Sequence, residues 1–255
     1  MSNAQLIPIE RTAALRVAAL PPTLPPIRVA LLSDIHAGNR GMLPARLADV
    51  VRRVNAQQPD VILLAGDFIV GESPDGAAQS IADLAMLSDL RARWGVFAVL
   101  GNHDHWTAPD AMRKQLAKAG IVVLENTAVR RGPLAIVGIG DRFSGHDNIA
   151  QATAQADILG GIPIVVTHSP DIAPDLPDRF PILLAGHTHC GQMVLPWVGP
   201  IVRYSHWKRL YDPKYQCGRV DDGGRTTIVT GGVGSGAVPV RINAMTDWWL
   251  ITLDH

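Results

Sequence analysis

Apolar residues along this chain come in short unbroken runs, each followed by a polar string that contains glycine or histidine. Residues 27–32 (IRVALL), 61–65 (VILLA), 96–100 (VFAVL), 162–167 (IPIVVT) and 182–185 (ILLA) lack the alternation of a half-exposed strand, and they predict strands buried on both faces. Between them the period changes. Pro44 to Asn55 places Leu47, Val50, Val51 and Val54 on one helical face. Ser80 opens a second predicted helix that runs to about Arg93. Pro109 starts a third, which Gly120 ends, and a fourth is expected around 147–158. Further strands are expected near 121–124, 128–131 and 134–139. From Gly191 onward the apolar stretches are short and turn signals frequent, which predicts an antiparallel end to the sheet system. The pairs Pro21-Pro22 and Pro25-Pro26 predict an extended lead-in over 1–26, and 27–255 reads as one domain. The alternation of strands and helices is that of an α/β protein.

Composition narrows the function classes. Lysine and arginine total 23 against 23 acidic residues, so no basic field argues for nucleic-acid binding. Two cysteines, Cys190 and Cys217, do not make a disulfide framework. No run reaches the roughly 18 apolar residues of a membrane span, and the basic–apolar–small order of a signal peptide is missing. Ser2-Asn3-Ala4 after Met1 reads as a cloning remnant, which leaves room for a lost anchor or export signal. A cytoplasmic or a membrane-associated location is open, and the oligomeric state is not legible.

Chemistry gathers where the buried strands end. Asp34-Ile35-His36, Gly66-Asp67, Gly101-Asn102-His103-Asp104, His168 and Gly186-His187-Thr188-His189 each follow an apolar run. Taken singly, each has a plain alternative. Asp-x-His after a strand is an ordinary turn with a capping Asp. Gly-Asn is a common turn pair, and His168-Ser169-Pro170 suits a helix start. Together they are hard to explain by packing, since unpaired polar groups at buried strand ends are unfavourable. They offer hard and borderline donors enough for two divalent ions around one carboxylate. Such a pair suits in-line attack of a bridging water on phosphorus.

In this order the strings are the motif set of the calcineurin-like metallophosphoesterases, which the chain resembles over roughly residues 27–253. The resemblance implies an α/β sandwich of two stacked mixed sheets flanked by helices, with a dinuclear site at strand C-terminal ends. It implies that Asp34, His36 and His189 hold one ion, that Asn102, His168 and His187 hold the other, and that Asp67 bridges both. It also implies that His103 is a catalytic imidazole, paired with Asp104. Mixed nitrogen and oxygen donors suit manganese, iron or zinc. Thr188, between two ligands, is a candidate for their support, with a plain structural threonine as the alternative.

Finer features point toward a substrate. Ser169-Pro170-Asp171, Cys190-Gly191-Gln192 and the Gly234-x-Gly236…Pro239-x-Arg241 run are similar to the small, membrane-associated bacterial branch that includes UDP-2,3-diacylglucosamine pyrophosphohydrolases. That similarity implies a phosphodiester or pyrophosphate substrate, led by a UDP-linked or other lipid-linked acyl sugar. Phospholipids or cyclic nucleotides are the alternative, and a non-catalytic scaffold is the reading from another class. Phe68 follows Gly66-Asp67 where protein serine/threonine phosphatases carry arginine. Trp197 to Tyr215 interleaves aromatic and basic residues, with Arg203 and Trp207 as candidate substrate contacts. The stretch suits an anionic lipid surface or a nucleotide diphosphate, or is an ordinary surface hairpin. Cys190 is read as a small lining residue that could also meet a soft ion. Gly231 to Gly236 looks like a dinucleotide loop, but no crossover helix has room after it, so a turn lining the site is expected.

Overall fold

The buried runs become the centres of two six-stranded sheets. The computed structural model describes residues 6–236 and 238–255. The proposed remnant Ser2-Asn3-Ala4 lies outside the described residues. The first sheet comprises β1 (Ile9–Arg16), β2 (Ile27–Leu32), β3 (Val61–Ala65), β4 (Val96–Val99), β5 (Val122–Val123) and the last strand, β16 (Asp247–Asp254). Its spatial order is β1-β16-β2-β3-β4-β5. The β2–β5 portion is parallel, and β16 runs antiparallel to β2. The second sheet comprises β6 (Thr127–Arg131), β7 (Leu134–Gly138), β8 (Ile162–Val166), β9 (Ile182–Ala185), β14 (Gly218–Asp222) and β15 (Arg225–Val229), in the order β14-β15-β9-β8-β7-β6. Its inner four strands are parallel and both edges antiparallel. Two small hairpins, β10 (Val194–Leu195) with β11 (Gly199–Pro200) and β12 (Tyr204–Ser205) with β13 (Lys208–Arg209), project from the chain between β9 and β14.

Strand periodicity builds the layers. In β2, Val29 and Leu31 face a core shared with Ile164, Leu184 and Ile228 of the second sheet. Their neighbours Ala30 and Leu32 face the opposite way, onto Leu47, Val50 and Val54 of α1 (Pro44–Ala56). That cluster also takes in Met112 and Leu116 of α4 (Pro109–Lys118), and α5 (Ile149–Leu159) covers the far side of the second sheet. The result is a helix–sheet–sheet–helix sandwich, the α/β fold of two mixed sheets. The helix expected from Ser80 is instead a short α2 (Ala77–Ala82) continued as a 3-10 turn through Asp89.

The N-terminal region is more than a lead-in. Residues 9–16 form an edge strand parallel to β16 over its whole length. Its polar residues Glu10, Arg11 and Thr12 hide it from a hydropathy reading. Tertiary pairing outweighs that composition, and Arg11 Nε donates to the buried Asp247 at 2.6 Å.

Candidate metal centre and active site

Five parallel strands, β2, β3 and β4 in one sheet and β8 and β9 in the other, end on the same side of the sandwich. That is where open α/β sheets bind ligands. The five polar strings are the loops that leave those strand ends. Asp34, His36, Asp67, His187 and His189 all have φ between 50° and 71°, in the left-handed region. Asp and His are among the non-glycine residues that tolerate it, and such strain gathers at functional sites. At Asp34, His36, Asp67, His187 and His189 the backbone therefore bends the side chains inward, whereas the Gly101 string runs straight into the helix α3 (Asn102–Thr107).

Two donor groups result. In the first, His36 Nε2 and His189 Nε2 are 3.1 Å apart, and His189 Nε2 is 3.4 Å from Asp34 Oδ1. In the second, His168 Nε2 lies 3.2 Å from both Asn102 Oδ1 and His187 Nδ1. A single oxygen, Asp67 Oδ2, stands between them, 3.5 Å from His36 Nε2 and 3.3 Å from His168 Nε2. The other Asp67 oxygen accepts from the backbone N–H of His103 at 2.9 Å, which fixes the carboxylate's orientation. Gly101 is required here, because a Cβ on it would stand 2.2 Å from Asp67 Oδ1.

These residues suit cations. Asp34 Oδ1, 3.4 Å from His189 Nε2, is buried without a hydrogen-bond partner. Imidazole nitrogens also face one another in two pairs, an arrangement that a shared positive ion relieves. Backbone contacts select the inward nitrogen. His168 Nδ1–H donates to Ala65 O at 2.7 Å, and His187 Nε2–H donates to Leu210 O at 2.9 Å. Burial pushes His36 down to about 3, and burial with His168 pushes His187 down to about 4. Both rings are thus neutral and free to ligate. Burial also acts against charge on His168, but Asp67 and Asp34 outweigh it and hold that ring well above its ordinary range. Burial raises Asp34 to about 6, partly offset by His168. In the same way, burial opposes ionisation of Asp67, yet His168, His103 and His36 hold it well below the usual carboxylate range. Any of these anions would stabilise a bound cation.

His103 lies at the edge of the donor cluster, with a ring nitrogen within 4.8 Å of donor atoms of His36 and Asp67. Its Nδ1 is 2.7 Å from the Gly71 carbonyl and donates to it, so Nε2 is left for the pocket that His103 lines. Asp104 does not pair with it. On α3 (Asn102–Thr107) successive side chains diverge. The Asp104 carboxylate instead accepts from the N–H groups of Gly101, Phe68 and Ile69, at 2.9, 2.9 and 3.3 Å. It ties the β3 and β4 loops together from beneath the site, and burial raises it to about 7.

Three other expectations change. Cys190 and Cys217 form a disulfide, with Cα atoms 4.7 Å apart across a sequence separation of 27. Cys190 is therefore neither a free lining thiol nor a soft ligand. The chain leaves the site through the two hairpins and returns, which brings the pair together, and spacing alone does not reveal that path. Arg203 turns back to donate to Pro200 O and Val198 O at 2.9 and 2.6 Å, and it lines a neighbouring cleft, not the metal pocket. Trp207 is fully exposed at a hairpin tip. The Thr188 hydroxyl donates to Gln216 O and accepts from Cys190 N, the contacts of a structural threonine, and neither partner is an expected ligand. Gly236 lines the pocket, as a site-lining turn requires.

Several contributors were not assigned to the site from the sequence, Arg241 having entered only as the end of the Gly234…Arg241 run. Arg241 is 2% exposed, and Arg241 Nη2 donates to His189 Nδ1 at 2.9 Å. Trp106 and Phe143 wall the pocket, and Phe143 packs 4.8 Å from the His187 ring. The proximity of Trp106 to the Gly101–Asp104 string was a usable hint for one of them.

The model of the calcineurin-like phosphoesterase family matches residues 27–191. The uncharacterized metallophosphoesterase YkuE of Bacillus subtilis (strain 168) is 29% identical over 235 residues, covering 89% of this chain and 78% of its own. YkoQ of the same organism, also an uncharacterized metallophosphoesterase, is 30% identical over 194 residues, 71% of this chain and 69% of its own. The phosphodiesterase YaeI of Escherichia coli (strain K12) is 29% identical over 246 residues, 93% of this chain and 86% of its own.

Proposed function

The chain belongs to the calcineurin-like phosphoesterases and is a metal-dependent phosphoesterase, and on that premise we propose that it hydrolyses phosphodiester or pyrophosphate bonds with two divalent ions. The observation that carries the dinuclear reading is Asp67 Oδ2, one carboxylate oxygen within 3.5 Å of a nitrogen from each donor group. Asp34, His36 and His189 would hold one ion, Asn102, His168 and His187 the other, and Asp67 both. Manganese, iron or zinc suits the donors. When bound, the ions supply neutralisation of the phosphate oxygens and an acidified water.

The chain supplies the remaining chemistry. With Nδ1–H committed to Gly71 O, a protonated His103 presents Nε2–H to the leaving oxygen. It gives up that proton as the phosphorus–oxygen bond breaks, and a neutral ring remains. Asp104 holds the loops that carry Asp67 and His103 in register.

Beyond the donors the cavity, about 210 Å³, is walled by Trp106, Phe143, Met193, Val202, Leu210 and Val238. That wall supports a substrate with a bulky apolar group beside its phosphate. A UDP-linked or other lipid-linked acyl sugar at a membrane surface is the leading class, and a phospholipid or cyclic nucleotide is the second. The test strips the protein with chelator, refills it with manganese, and assays an aryl phosphodiester. A panel of UDP-diacylglucosamine, phospholipids, cyclic nucleotides and phosphopeptides follows, with and without detergent micelles. Metal-restored cleavage of the diester, with the lipid-linked substrates fastest, is expected. Silence with every divalent ion would favour a non-catalytic scaffold, and cleavage of phosphopeptides alone would overturn the substrate class.

A further inference from the structure

The segment 193–216 leaves the site directly after the His187–Gly191 turn and returns to it at Cys217. Its base is fixed three times over. Cys190 and Cys217 are bonded, Thr188 Oγ1 donates to Gln216 O at 2.7 Å, and Gln216 Nε2 donates to Cys190 O at 3.3 Å. From that base the two hairpins project, and each tip carries a tryptophan at φ 61°. Trp197 and Trp207 are both fully exposed. A lone exposed apolar residue is unremarkable, but these two belong to a patch. Val198, Ile201 and Tyr204 are exposed beside them. Val194 N donates to Ile242 O, which joins the hairpin base to exposed Val240 and Ile242.

The patch has a charge of its own. The whole chain is neutral, yet 193–216 holds Arg203, Lys208 and Arg209 against Asp212, while Lys214 pairs with Asp222. Fully exposed indoles with cations around them match the headgroup layer of an anionic bilayer, where the ring sits at the interface and the cations meet lipid phosphates. The patch also runs into the active-site mouth. Val202 and Val238 are exposed on the surface and line the metal pocket as well. His206, next to Trp207 on the same tip, turns to the pocket rim, 4.6 Å from the Trp106 ring and 3.5 Å from Glu72.

We propose that this disulfide-based double hairpin is a bilayer-docking cap: Trp197 and Trp207 enter the headgroup layer of an anionic membrane and set the pocket mouth against it. The proposal rests on the lipid-linked reading for its purpose. Its test uses no turnover, so the two fail separately.

The oxidised full chain is sedimented with phosphatidylcholine vesicles and with vesicles that also contain phosphatidylglycerol, while tryptophan emission is followed. Binding to the anionic vesicles with a blue-shifted emission, weakened by added salt, is expected. The double variant Trp197→Ser/Trp207→Ser should lose binding by on the order of tenfold or more, since burial of two large apolar side chains is removed. Lys208→Glu/Arg209→Glu should lose the preference for anionic lipid and leave the melting temperature unchanged. Failure to bind either vesicle would overturn the proposal. Binding that ignores both double variants would overturn it too, and so would a doubled solution mass abolished by the tryptophan variant, which would assign the patch to a second copy of the chain.

Discussion

Arg241 places a guanidinium nitrogen 2.9 Å from Nδ1 of His189, and no acidic side chain forms an ion pair with it among the described residues. The guanidinium instead donates to carbonyls of Gly231, Gly234 and His189, at 2.6, 2.7 and 3.1 Å. It therefore binds the glycine turn and the last donor-bearing turn into one unit. Arg241→Gln should lower metal affinity by about 10–100-fold, as expected for a lost outer-shell partner. Arg241→Lys should not rescue it, since an ammonium cannot span those acceptors. Metal titration of the purified variants checks this, and wild-type affinity in Arg241→Gln would refute it.

His103 and Asp67 should separate turnover from metal binding. His103→Ala should retain both ions and lose roughly 10²–10⁴-fold in kcat, the usual range for a missing general acid. Asp67→Ala should lose the metal itself. Elemental analysis beside kinetics decides the matter, and an empty His103→Ala with a full Asp67→Ala would reverse the assignments.

The Cys190–Cys217 bond closes a long loop. Its removal as Cys190→Ser/Cys217→Ser should lower stability by roughly 3–4 kcal/mol on the chain-entropy account. Denaturant unfolding of the oxidised wild type and the double variant measures the difference. Equal midpoints would refute the chain-entropy account of the bond's contribution.

A pH effect is expected away from the donors. The His105 side chain is 3% exposed and stacks on His146 with centroids 3.6 Å apart. Burial, then His146, lowers it to about 4. The unfolded ring titrates near 6.5. Below that value the unfolded chain binds the extra proton, so stability falls as pH drops from 6.5 toward 4. His105→Phe should flatten the stability curve within that window. A wild-type slope in the variant, measured by chemical denaturation across the range, would count against this account.

The sequence and the structure agree most closely where chemistry and burial coincide. The five buried runs are the central strands, and the loops after them set Asp34, His36 and His189 on one side of Asp67 and Asn102, His168 and His187 on the other. Agreement weakens where composition is polar. Ile9–Arg16 is a strand only because β16 offers it an edge. Asp104 sits beside His103 in sequence yet turns to another loop, because a helical step separates neighbouring side chains by about 100°.

By itself, the sequence determined which residues end the buried strands, and so which donors the chain can offer. Hydrophobic period and residue chemistry are local properties, and they survive without coordinates. Tertiary structure alone decided what those donors meet. It brought Arg241 to His189 and Leu210 O to His187, and it closed Cys190 on Cys217. It also turned Trp197 and Trp207 out to solvent while Tyr211 and Tyr215 of the same stretch were buried. Each of these depends on where a long excursion of chain returns, and that is set by the packing of two sheets and not by any spacing along the chain.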